Sequence, residues 1–456
     1  MSLMVSISGV RGIVGDSLTP DVVVRYSAAF AEYCKRGKIV VGRDGRVGGK
    51  IVGNIVASSL LSMGCDVVAL GVVPTPTVQI AVEHIHAAGG ISITASHNPI
   101  QWNGMKFLSA GGMFLSAEEN EHLWAIVKKN AFSYVPWDRI GRLSHDESII
   151  RKHADMVLQL SYLDVGRIKN RKFKVVVDCI NASGGVIVPG LLRELGCTVV
   201  EMNCDMSGVF ARTPEPIPEN LGEVCRRVRN ERADLGIVVD PDADRLVLIT
   251  EKGEPFGEEY TVTAVVDFVL SHDRPESSSR RQKVVVNLST TRAVEDVAKH
   301  YGAEVIRTPV GEINVAKKMQ EVGAVIGGEG SGGVILPAVH YGRDAIVGIG
   351  LILQRLAELG GTLSELKSSL PQYVIAKSKV EVQKRNVDGI FEQLRTRHAS
   401  DGKLNTGDGL KIDFADSWVH LRKSNTEPIV RVIAEAATIE RAEALVGQFT
   451  NEILTS

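Results

Sequence analysis

Short runs of β-branched residues alternate with stretches of helical apolar spacing along the first two thirds of the chain, a pattern typical of an α/β protein. One such run recurs three times, as KIVVGRD (38–44), FKVVVDC (173–179) and QKVVVNL (282–288). After a helical stretch, a glycine opens a second predicted strand, at 64–70, 196–202 and 302–308. After a further helix a third follows, at 91–94, 235–240 and 324–329. The repetition predicts three related α/β units with mixed sheets covered on both faces.

A loop rich in functional side chains leaves the third predicted strand of every unit. These loops are TASHNP (94–99), DPDADR (240–245) and GEGSGG (328–333). Ligands bind beyond the carboxyl ends of strands in open α/β sheets, so we expect the three loops to converge on one central cleft. Unrelated loops that share this position by chance are the alternative.

The pattern changes beyond about residue 368, where alternating strands and helices predict a smaller α+β domain. Its strands WVHLRKS and IVRVIAEA flank the loop SNTEP, and an amphipathic helix closes the chain over 439–453. We therefore predict four domains, at 1–148, 149–252, 253–367 and 368–456. The offset of the fourth domain from the repeats would let it act as a lid.

Composition favours a small-molecule ligand over a macromolecular one. The chain has 456 residues, a formal net charge of −2 and scattered basic residues, so it lacks the electrostatic footprint of a nucleic-acid-binding protein. The six cysteines form no CxxC pair, which argues against a disulfide framework or a zinc site. Without a signal peptide or a membrane-spanning apolar run, we expect a cytoplasmic protein, monomeric or homodimeric.

Three alternating aspartates, Asp240, Asp242 and Asp244, supply hard oxygen ligands that best match Mg²⁺. A solvated acidic turn is the simple alternative. An EF-hand is a second one, because Glu251 falls at its twelfth position, but Arg245 stands where that loop needs glycine.

Ser96 lies in a tight turn after a predicted strand, where it would be exposed to attack or modification. The chain has no G-x-S-x-G motif, and His97 is poorly placed by sequence to act as the base for its own neighbour, so a Ser-His hydrolase is disfavoured. Most serines in such turns are local caps. A phosphorylated Ser96 would instead need a cation, which the aspartate loop provides.

The remaining loops suit a sugar phosphate. Glu329 and Ser331 stand among glycines, which lets the backbone approach a ligand while both side chains bind hydroxyls, although a flexible connection has the same composition. The segment RKSNTEPIVR can bind a phosphate dianion through Arg422, Ser424, Asn425, Thr426 and Arg431, and a plain hairpin turn is the alternative. Further basic candidates, each equally explained as a surface charge, are Arg11, Arg43, Arg46 and Lys106.

Taken in order, TASHNP, DPDADR, GEGSGG and RKSNTEP resemble the α-D-phosphohexomutase superfamily over essentially the whole chain. The resemblance implies four domains around a central cleft, a phosphoserine at Ser96, and Mg²⁺ held by the three aspartates and a phosphoserine oxygen. It implies sugar contacts from Glu329 and Ser331 and a phosphate clamp in the fourth domain. The catalytic candidates that it adds to Ser96 are Arg11, Lys106, His97 and Arg245.

The implied reaction interconverts hexose 1- and 6-phosphates through a hexose 1,6-bisphosphate, which is also the activator. The substrate is a glucosamine phosphate or a glucose or mannose phosphate, because the motifs mix subgroup features. Several bacterial members have a histidine where Gly333 stands here, and His340 is a candidate for its role. A metal-dependent sugar phosphatase and a catalytically silent sugar-phosphate sensor are the rival hypotheses.

Overall fold

The computed structural model describes residues 3–273, 281–382, 385–423 and 429–455, and its α/β architecture confirms the predicted fold class. The strands are β1 (Met4–Ser6), β2 (Gly9–Ile13), β3 (Ile39–Arg43), β4 (Val67–Val72), β5 (Gly89–Ile93), β6 (Trp102–Ser109), β7 (Leu143–His145), β8 (Lys174–Asp178), β9 (Thr198–Met202), β10 (Leu235–Val239), β11 (Leu246–Thr250), β12 (Lys283–Asn287), β13 (Glu304–Thr308), β14 (Ile326–Glu329), β15 (Gly333–Ile335), β16 (Val374–Glu381), β17 (Lys403–Asn405), β18 (Leu410–Asp413), β19 (Trp418–Lys423) and β20 (Ile429–Ala436).

The helices alternate with these strands in the first three domains and flank the sheet of the fourth. They are α1 (Pro20–Tyr33), α2 (Gly49–Ser62), α3 (Thr75–His84), α4 (Ala117–Lys129), α5 (Ser148–Leu158), α6 (Val165–Arg171), α7 (Val188–Glu194), α8 (Gly222–Glu231), α9 (Glu258–His272), α10 (Ala293–His300), α11 (Glu312–Val322), α12 (Ala345–Leu359), α13 (Leu363–Ser369), α14 (Val387–Arg397) and α15 (Ile439–Thr455).

The three predicted repeats share one sheet topology. Each unit places its first strand between its second and third, with which it pairs in parallel, and adds a fourth strand antiparallel to the third. The spatial orders are β4-β3-β5-β6, β9-β8-β10-β11 and β13-β12-β14-β15, and β1, β2 and β7 extend the first sheet. The corresponding strand ends therefore deliver the three loops in the same way.

The fourth domain is a five-stranded antiparallel sheet in the order β16-β20-β19-β18-β17. Its hydrophobic cluster, which includes Leu394, Leu421 and Phe449, is separate from the others. In contrast, one large cluster runs through the first three units and includes Val40, Val175 and Val284. The three repeats are thus packed into one body, whereas the fourth domain has its own core.

Two further features bear on the site. Helix α12 is buried almost all round, and the Asp344 carboxylate caps its N-terminus by accepting from the N–H groups of Ile346 (2.8 Å) and Val347 (3.3 Å). Arg343 is therefore fixed two residues before a buried helix, next to its N-cap. Among the described residues no single helix is long and apolar enough to cross a membrane, and one bent pair, α12 with α13, passes that test by length and composition only.

Candidate active site

The loop that carries Ser96 follows β5 and makes a strained turn. Ser96 has a positive φ of 49°, and its N–H donates to the Thr94 hydroxyl at 2.9 Å. Left-handed backbone is uncommon for residues with a side chain and clusters at functional turns. The turn leaves Ser96 only 2% exposed, more buried than the sequence predicts, with its hydroxyl facing the second domain and the residue lining a cavity.

Arg46 supports this loop from within the first domain. Its guanidinium donates to four backbone carbonyl oxygens, those of Ser96 (2.5 Å), Asn98 (2.7 Å), Pro99 (2.7 Å) and Trp102 (3.1 Å). Its Nε pairs with Asp44 at 3.0 Å, and the side chain is 1% exposed. The surface-charge interpretation is therefore wrong for Arg46, which is a buried support, while Arg43 is half-buried and donates to the Asp44 carbonyl oxygen.

The aspartate loop follows β10 and meets the Ser96 loop. Asp240, Asp242 and Asp244 are fully buried, and one carboxylate oxygen from each lies within 4.8 Å of the others. Asp240 Oδ2 is 3.5 Å from Ser96 Oγ. The solvated-turn and EF-hand alternatives are thereby disfavoured, since the three side chains converge inside the protein.

Besides the contact of Ser96 with Asp240 Oδ2, protein donors hold one oxygen of each aspartate. Asp240 Oδ1 accepts from the N–H groups of Asp244 (3.2 Å) and Arg245 (3.3 Å). Asp242 Oδ2 accepts from Lys106 Nζ (2.6 Å) and Thr75 Oγ1 (2.9 Å). Asp244 Oδ2 accepts from Arg343 Nη2 (2.5 Å). In the described part of the chain, the Oδ1 atoms of Asp242 and Asp244 are buried and have no hydrogen-bond partner. Buried unpaired carboxylate oxygens are unfavourable, so this arrangement fits a cation.

The charges around these carboxylates have opposite effects on two of them. Burial, together with the neighbouring Asp244 and Asp242, raises the pKa of Asp240 well above its ordinary value. For Asp244, burial works in the same direction, but Arg343 and Lys106 outweigh it and hold the pKa of Asp244 below its ordinary value. A divalent cation would relieve the repulsion at Asp240, and oxygen ligands of this kind suit Mg²⁺.

Two guanidinium groups that line the same cavity as Ser96 each have a buried Nε that donates no hydrogen bond among the described residues. Arg11 Nη1 donates to Asn98 at 3.2 Å, whereas Arg11 Nε is buried without an acceptor among the described residues. Arg245 Nε is also buried without a hydrogen bond there, 3.8 Å from both Asp240 and Asp244. Unused guanidinium donors near a hydroxyl form a site for phosphoryl oxygens.

His97 is closer to Ser96 than their adjacency in sequence suggested. Its Nδ1 is 3.2 Å from Ser96 Oγ, because the left-handed turn at Ser96 brings the two side chains together. Burial, with the nearby Arg245 and Arg11, lowers the pKa of His97 well below its ordinary value. The ring is therefore neutral near pH 7, with one N–H that can donate a hydrogen bond and one nitrogen that can accept one.

The third loop places Glu329 at the end of β14. Its Oε1 accepts from Asn287 Nδ2 (2.8 Å) and the Gly311 N–H (2.9 Å), and its Oε2 accepts from Arg343 Nη1 (2.8 Å). Ser331 is half-buried and lines the cleft beside Glu329. Both predicted sugar-binding residues therefore face the same space.

The fourth domain contributes two arginines from neighbouring strands. Arg422 on β19 and Arg431 on β20 are cross-strand partners, and both line the cleft. Arg422 Nε lies 2.7 Å from Asp408 Oδ2. The other predicted phosphate ligands, Ser424, Asn425 and Thr426, lie outside the described residues.

The cleft consists of two adjoining cavities of about 320 and 480 Å³, a size suited to a small ligand. Residues of all four domains line it. They include Arg11, Ser96, His97, Lys106, Arg245, Glu329, Ser331, Arg343, Arg422 and Arg431. The predicted convergence of the loops on one cleft is thus present in the structure.

Comparison with known proteins agrees with this geometry. Models of phosphoglucomutase/phosphomannomutase match in order: alpha/beta/alpha domain I over residues 4–134, domain II over 151–253, domain III over 258–373 and the C-terminal domain over 376–452. A probable phosphoglucosamine mutase of Methanopyrus kandleri is 37% identical over 449 residues, 97% of this chain and 96% of the relative. The chain belongs to the α-D-phosphohexomutase superfamily.

Other members of the superfamily agree in sequence and in fold. A phosphoglucomutase/phosphomannomutase of Thermococcus kodakarensis is 39% identical over 440 residues, 95% of this chain and 94% of the relative. A solved phosphoglucomutase/phosphomannomutase family protein of Burkholderia thailandensis has a TM-score of 0.84 at 26% identity, and the match covers 99% of this chain and 98% of that one. The superfamily and the four-domain fold predicted from the motifs are confirmed.

The glycine at position 333, where the chain departs from the histidine of several bacterial family members, has a structural explanation. A Cβ atom on Gly333 would lie 2.3 Å from Arg343 Cδ, so the arginine side chain fills the space beside the glycine. His340 instead pairs with Asp344 at 3.0 Å and is not among the described residues that line the cleft. The suggestion that His340 serves at this position is therefore wrong, and Arg343 is the group that lies there.

Sequence reasoning missed Arg343, Glu312 and Asn287. Their only signals were the GRD tripeptide at 342–344 and the positions of Glu312 and Asn287 at the ends of predicted elements. None of these short patterns specifies which distant carboxylate or loop the side chain contacts in the fold.

Proposed function

We propose that this chain is a Mg²⁺-dependent phosphohexomutase that interconverts hexose 1-phosphate and hexose 6-phosphate through a phosphoserine at Ser96. One observation carries the proposal: Ser96 Oγ lies 3.5 Å from Asp240 Oδ2, inside a cluster of buried carboxylates with unpaired oxygens. A phosphoryl group on that hydroxyl would reach both the cation ligands and the unused arginine donors. A serine with only a structural role would explain neither the unpaired carboxylate oxygens nor the unused arginine donors.

Asp240, Asp242 and Asp244 would hold the Mg²⁺ together with a phosphoserine oxygen. The bound ion would withdraw charge from the transferring phosphoryl group, which is where phosphoryl transfer needs electrostatic stabilisation. Arg11 and Arg245 supply further positive charge through their free Nε donors. Lys106 fixes Asp242 at 2.6 Å and lies 3.5 Å from Asp244, so it sets the positions of both carboxylates.

In the transfer step, the free hydroxyl of the bound sugar monophosphate attacks the phosphorus on Ser96. The bond from phosphorus to Ser96 Oγ breaks, a bond to the sugar oxygen forms, and the hydroxyl proton passes to Ser96 Oγ. His97 Nδ1 lies 3.2 Å from that oxygen, on the leaving side of an in-line transfer, so it is placed to hydrogen-bond Ser96 Oγ as that oxygen leaves. The product of this step is a hexose 1,6-bisphosphate.

The bisphosphate must then turn around so that its other phosphate is returned to Ser96. The distal clamp has to accept a phosphate from either end of the sugar, and guanidinium groups are suited to this because they recognise the dianion alone. Arg422 and Arg431 face the cleft from the fourth domain. Glu329, held by three donors, offers its carboxylate to the sugar hydroxyls between the two phosphate sites.

The substrate class follows from the cleft and from the relatives together. We infer a hexose or hexosamine phosphate, since relatives of 37% and 39% identity are named for glucosamine phosphate and for glucose or mannose phosphate. A parallel assay resolves the choice. Phosphorus NMR follows the protein with Mg²⁺, a trace of glucose 1,6-bisphosphate, and either glucosamine 6-phosphate, glucose 1-phosphate or mannose 1-phosphate.

The expected result is interconversion of 1- and 6-phosphates, with the fastest sugar identifying the substrate. Ser96→Ala should fold normally, lose turnover and lack the phosphoryl adduct that intact-mass analysis detects on the unaltered protein. Release of inorganic phosphate as the main product would favour the sugar phosphatase. No reaction with any of the three sugar phosphates would favour the sugar-phosphate sensor. Full activity in Ser96→Ala would refute the phosphoserine mechanism.

A further inference from the structure

We propose that Arg343 is a positioning residue that couples the metal site to the sugar site, an inference that rests on the proposed function of the two loops. One guanidinium group joins Asp244 of the aspartate loop to Glu329 of the sugar loop. Neither the metal nor the sugar contacts Arg343 in this proposal. It acts by fixing which carboxylate oxygens face each ligand.

The contacts of Arg343 are those of a buried junction. Its Nη2 lies 2.5 Å from Asp244 Oδ2, its Nη1 lies 2.8 Å from Glu329 Oε2, and its Nε lies 3.1 Å from Glu312 Oε2. The side chain is 10% exposed. Three carboxylates from three segments therefore pair with the one guanidinium group of Arg343, each through a different nitrogen.

The consequence for the metal site lies at Asp244. Arg343 holds Oδ2 at 2.5 Å, with Lys106 Nζ farther away at 3.5 Å, so Oδ1, which accepts no hydrogen bond, is the oxygen that remains for the cation. The partners of a ligating carboxylate orient it and tune its affinity for the ion. If Arg343 moves, Asp244 can rotate, and the metal site loses its geometry.

The consequence for the sugar site is similar. Glu329 is fixed on one oxygen by Asn287 and Gly311, and on the other by Arg343. Glu312 extends the junction to the first domain, because its Oε1 accepts from Gln79 Nε2 at 3.2 Å. A shift of the guanidinium therefore reaches all three repeats, and binding at one loop favours the correct position of the other.

An ammonium group could not replace this junction. The planar guanidinium presents its donors in a fixed fork, while a lysine concentrates its charge at one point and cannot reach three separated carboxylates with the same directions. Gly333 is also needed, because it leaves the space that the Arg343 side chain occupies. A Cβ there would meet Arg343 Cδ at 2.3 Å and Cγ at 2.9 Å, so alanine would displace the arginine without changing any charge.

The test compares Arg343→Lys and Gly333→Ala with Arg355→Lys as the control. Arg355 also forms an ion pair, but with one carboxylate, Asp267 at 2.7 Å, and it lies on α12 away from the residues that line the cleft. The protein is first shown by intact mass to lack a phosphoryl group. Calorimetry then measures the Kd of Mg²⁺. It also measures the Kd of glucose 6-phosphate with and without Mg²⁺.

In the unaltered protein, we expect Mg²⁺ to tighten glucose 6-phosphate binding, and glucose 6-phosphate to tighten Mg²⁺ binding by the same factor. Arg343→Lys and Gly333→Ala should weaken Mg²⁺ binding about ten- to a hundredfold and abolish that factor. The control should keep both. A loss of folding alone would weaken each ligand without removing their mutual effect in the folded fraction, so the factor separates positioning from stability.

The proposal is overturned if both variants keep the Mg²⁺ affinity and the coupling factor, or if the unaltered protein has no coupling. Should Arg343→Lys fail to fold by circular dichroism, Gly333→Ala decides, because it leaves every charge in place. These titrations measure binding and do not require the protein to be catalytically active. Failure of the mutase assay would thus refute the proposed function while the binding data still decide the role of Arg343.

Discussion

The support that Arg46 gives to the Ser96 loop can be tested by removing it. Arg46→Met keeps much of the side-chain volume but deletes the charge that pairs with Asp44 and the donors to four backbone carbonyl oxygens. Asp44 is 1% exposed, so its carboxylate would be left buried with only the Thr94 hydroxyl and the residue 46 N–H as donors.

The magnitude follows from this geometry. Removing one partner of a buried ion pair lowers the free energy of unfolding by about 3–5 kcal/mol, because the other charge stays uncompensated. Asp44→Asn combined with Arg46→Met removes that charge, keeps an acceptor for the residue 46 N–H and leaves an amide N–H that can donate to the Thr94 hydroxyl. We expect the double variant to recover more than about 1 kcal/mol of the loss, since the desolvation of a charge exceeds that of an amide. The carbonyl oxygens stay without their donor, so the loop should stay displaced.

Urea unfolding measures the stability, and intact mass after exposure to glucose 1,6-bisphosphate measures phosphorylation of Ser96. The single variant should be destabilised and poorly phosphorylated, whereas the double variant should regain stability without regaining phosphorylation. A single variant within about 1 kcal/mol of the unaltered protein would refute the ion-pair reasoning. Full phosphorylation of the double variant would refute the positioning role of Arg46.

Three further predictions concern other parts of the cleft. Asp242→Asn should weaken Mg²⁺ binding by at least about tenfold in calorimetry, because Asp242 loses charge at its unpartnered oxygen. Arg422→Ala should raise KM for the hexose phosphate about ten- to a hundredfold with a smaller change in kcat, as a lost charged hydrogen bond implies, whereas exposed Arg395→Ala should leave KM unchanged. Burial lowers the pKa of His420 to about 4, so its neutral form stabilises the fold above the unfolded pKa and that contribution is lost as the pH falls below about 6.5. Between about pH 7.5 and 5.5 the chain should lose about 1.4 kcal/mol on this account, and urea unfolding of His420→Gln should lack that part of the pH dependence.

The repeats could be predicted from sequence because their signal is local and occurs three times. Strands such as β8 and β10 are apolar runs buried on both faces, and the loops that follow them carry unusual side chains. A loop at the carboxyl end of a strand has a fixed place in the fold. The convergence of Ser96, Asp240 and Glu329 therefore follows once the topology is known.

The contacts between loops could not be predicted in the same way. Arg343 and Asp244 are 99 residues apart, and Arg46 meets Ser96 across 50 residues, so no spacing rule connects them. Arg46 was also indistinguishable from a surface arginine by composition. Burial of a charged side chain depends on which segments close over it, which is a property of the packed fold.

The distribution of cores bears on how one site could serve two orientations of an intermediate. The first three units share a continuous hydrophobic cluster, and the Arg343 junction ties their loops together, so we expect this half of the cleft to stay fixed. The fourth domain packs around its own core and meets the third through polar contacts such as Ser289 with His420 at 2.9 Å and the Val310 N–H with Asp408 at 3.0 Å. Polar interfaces of this kind favour relative domain motion. A fixed half that transfers the phosphoryl group and a movable half that holds the distal phosphate would let the bisphosphate turn around without dismantling the metal site.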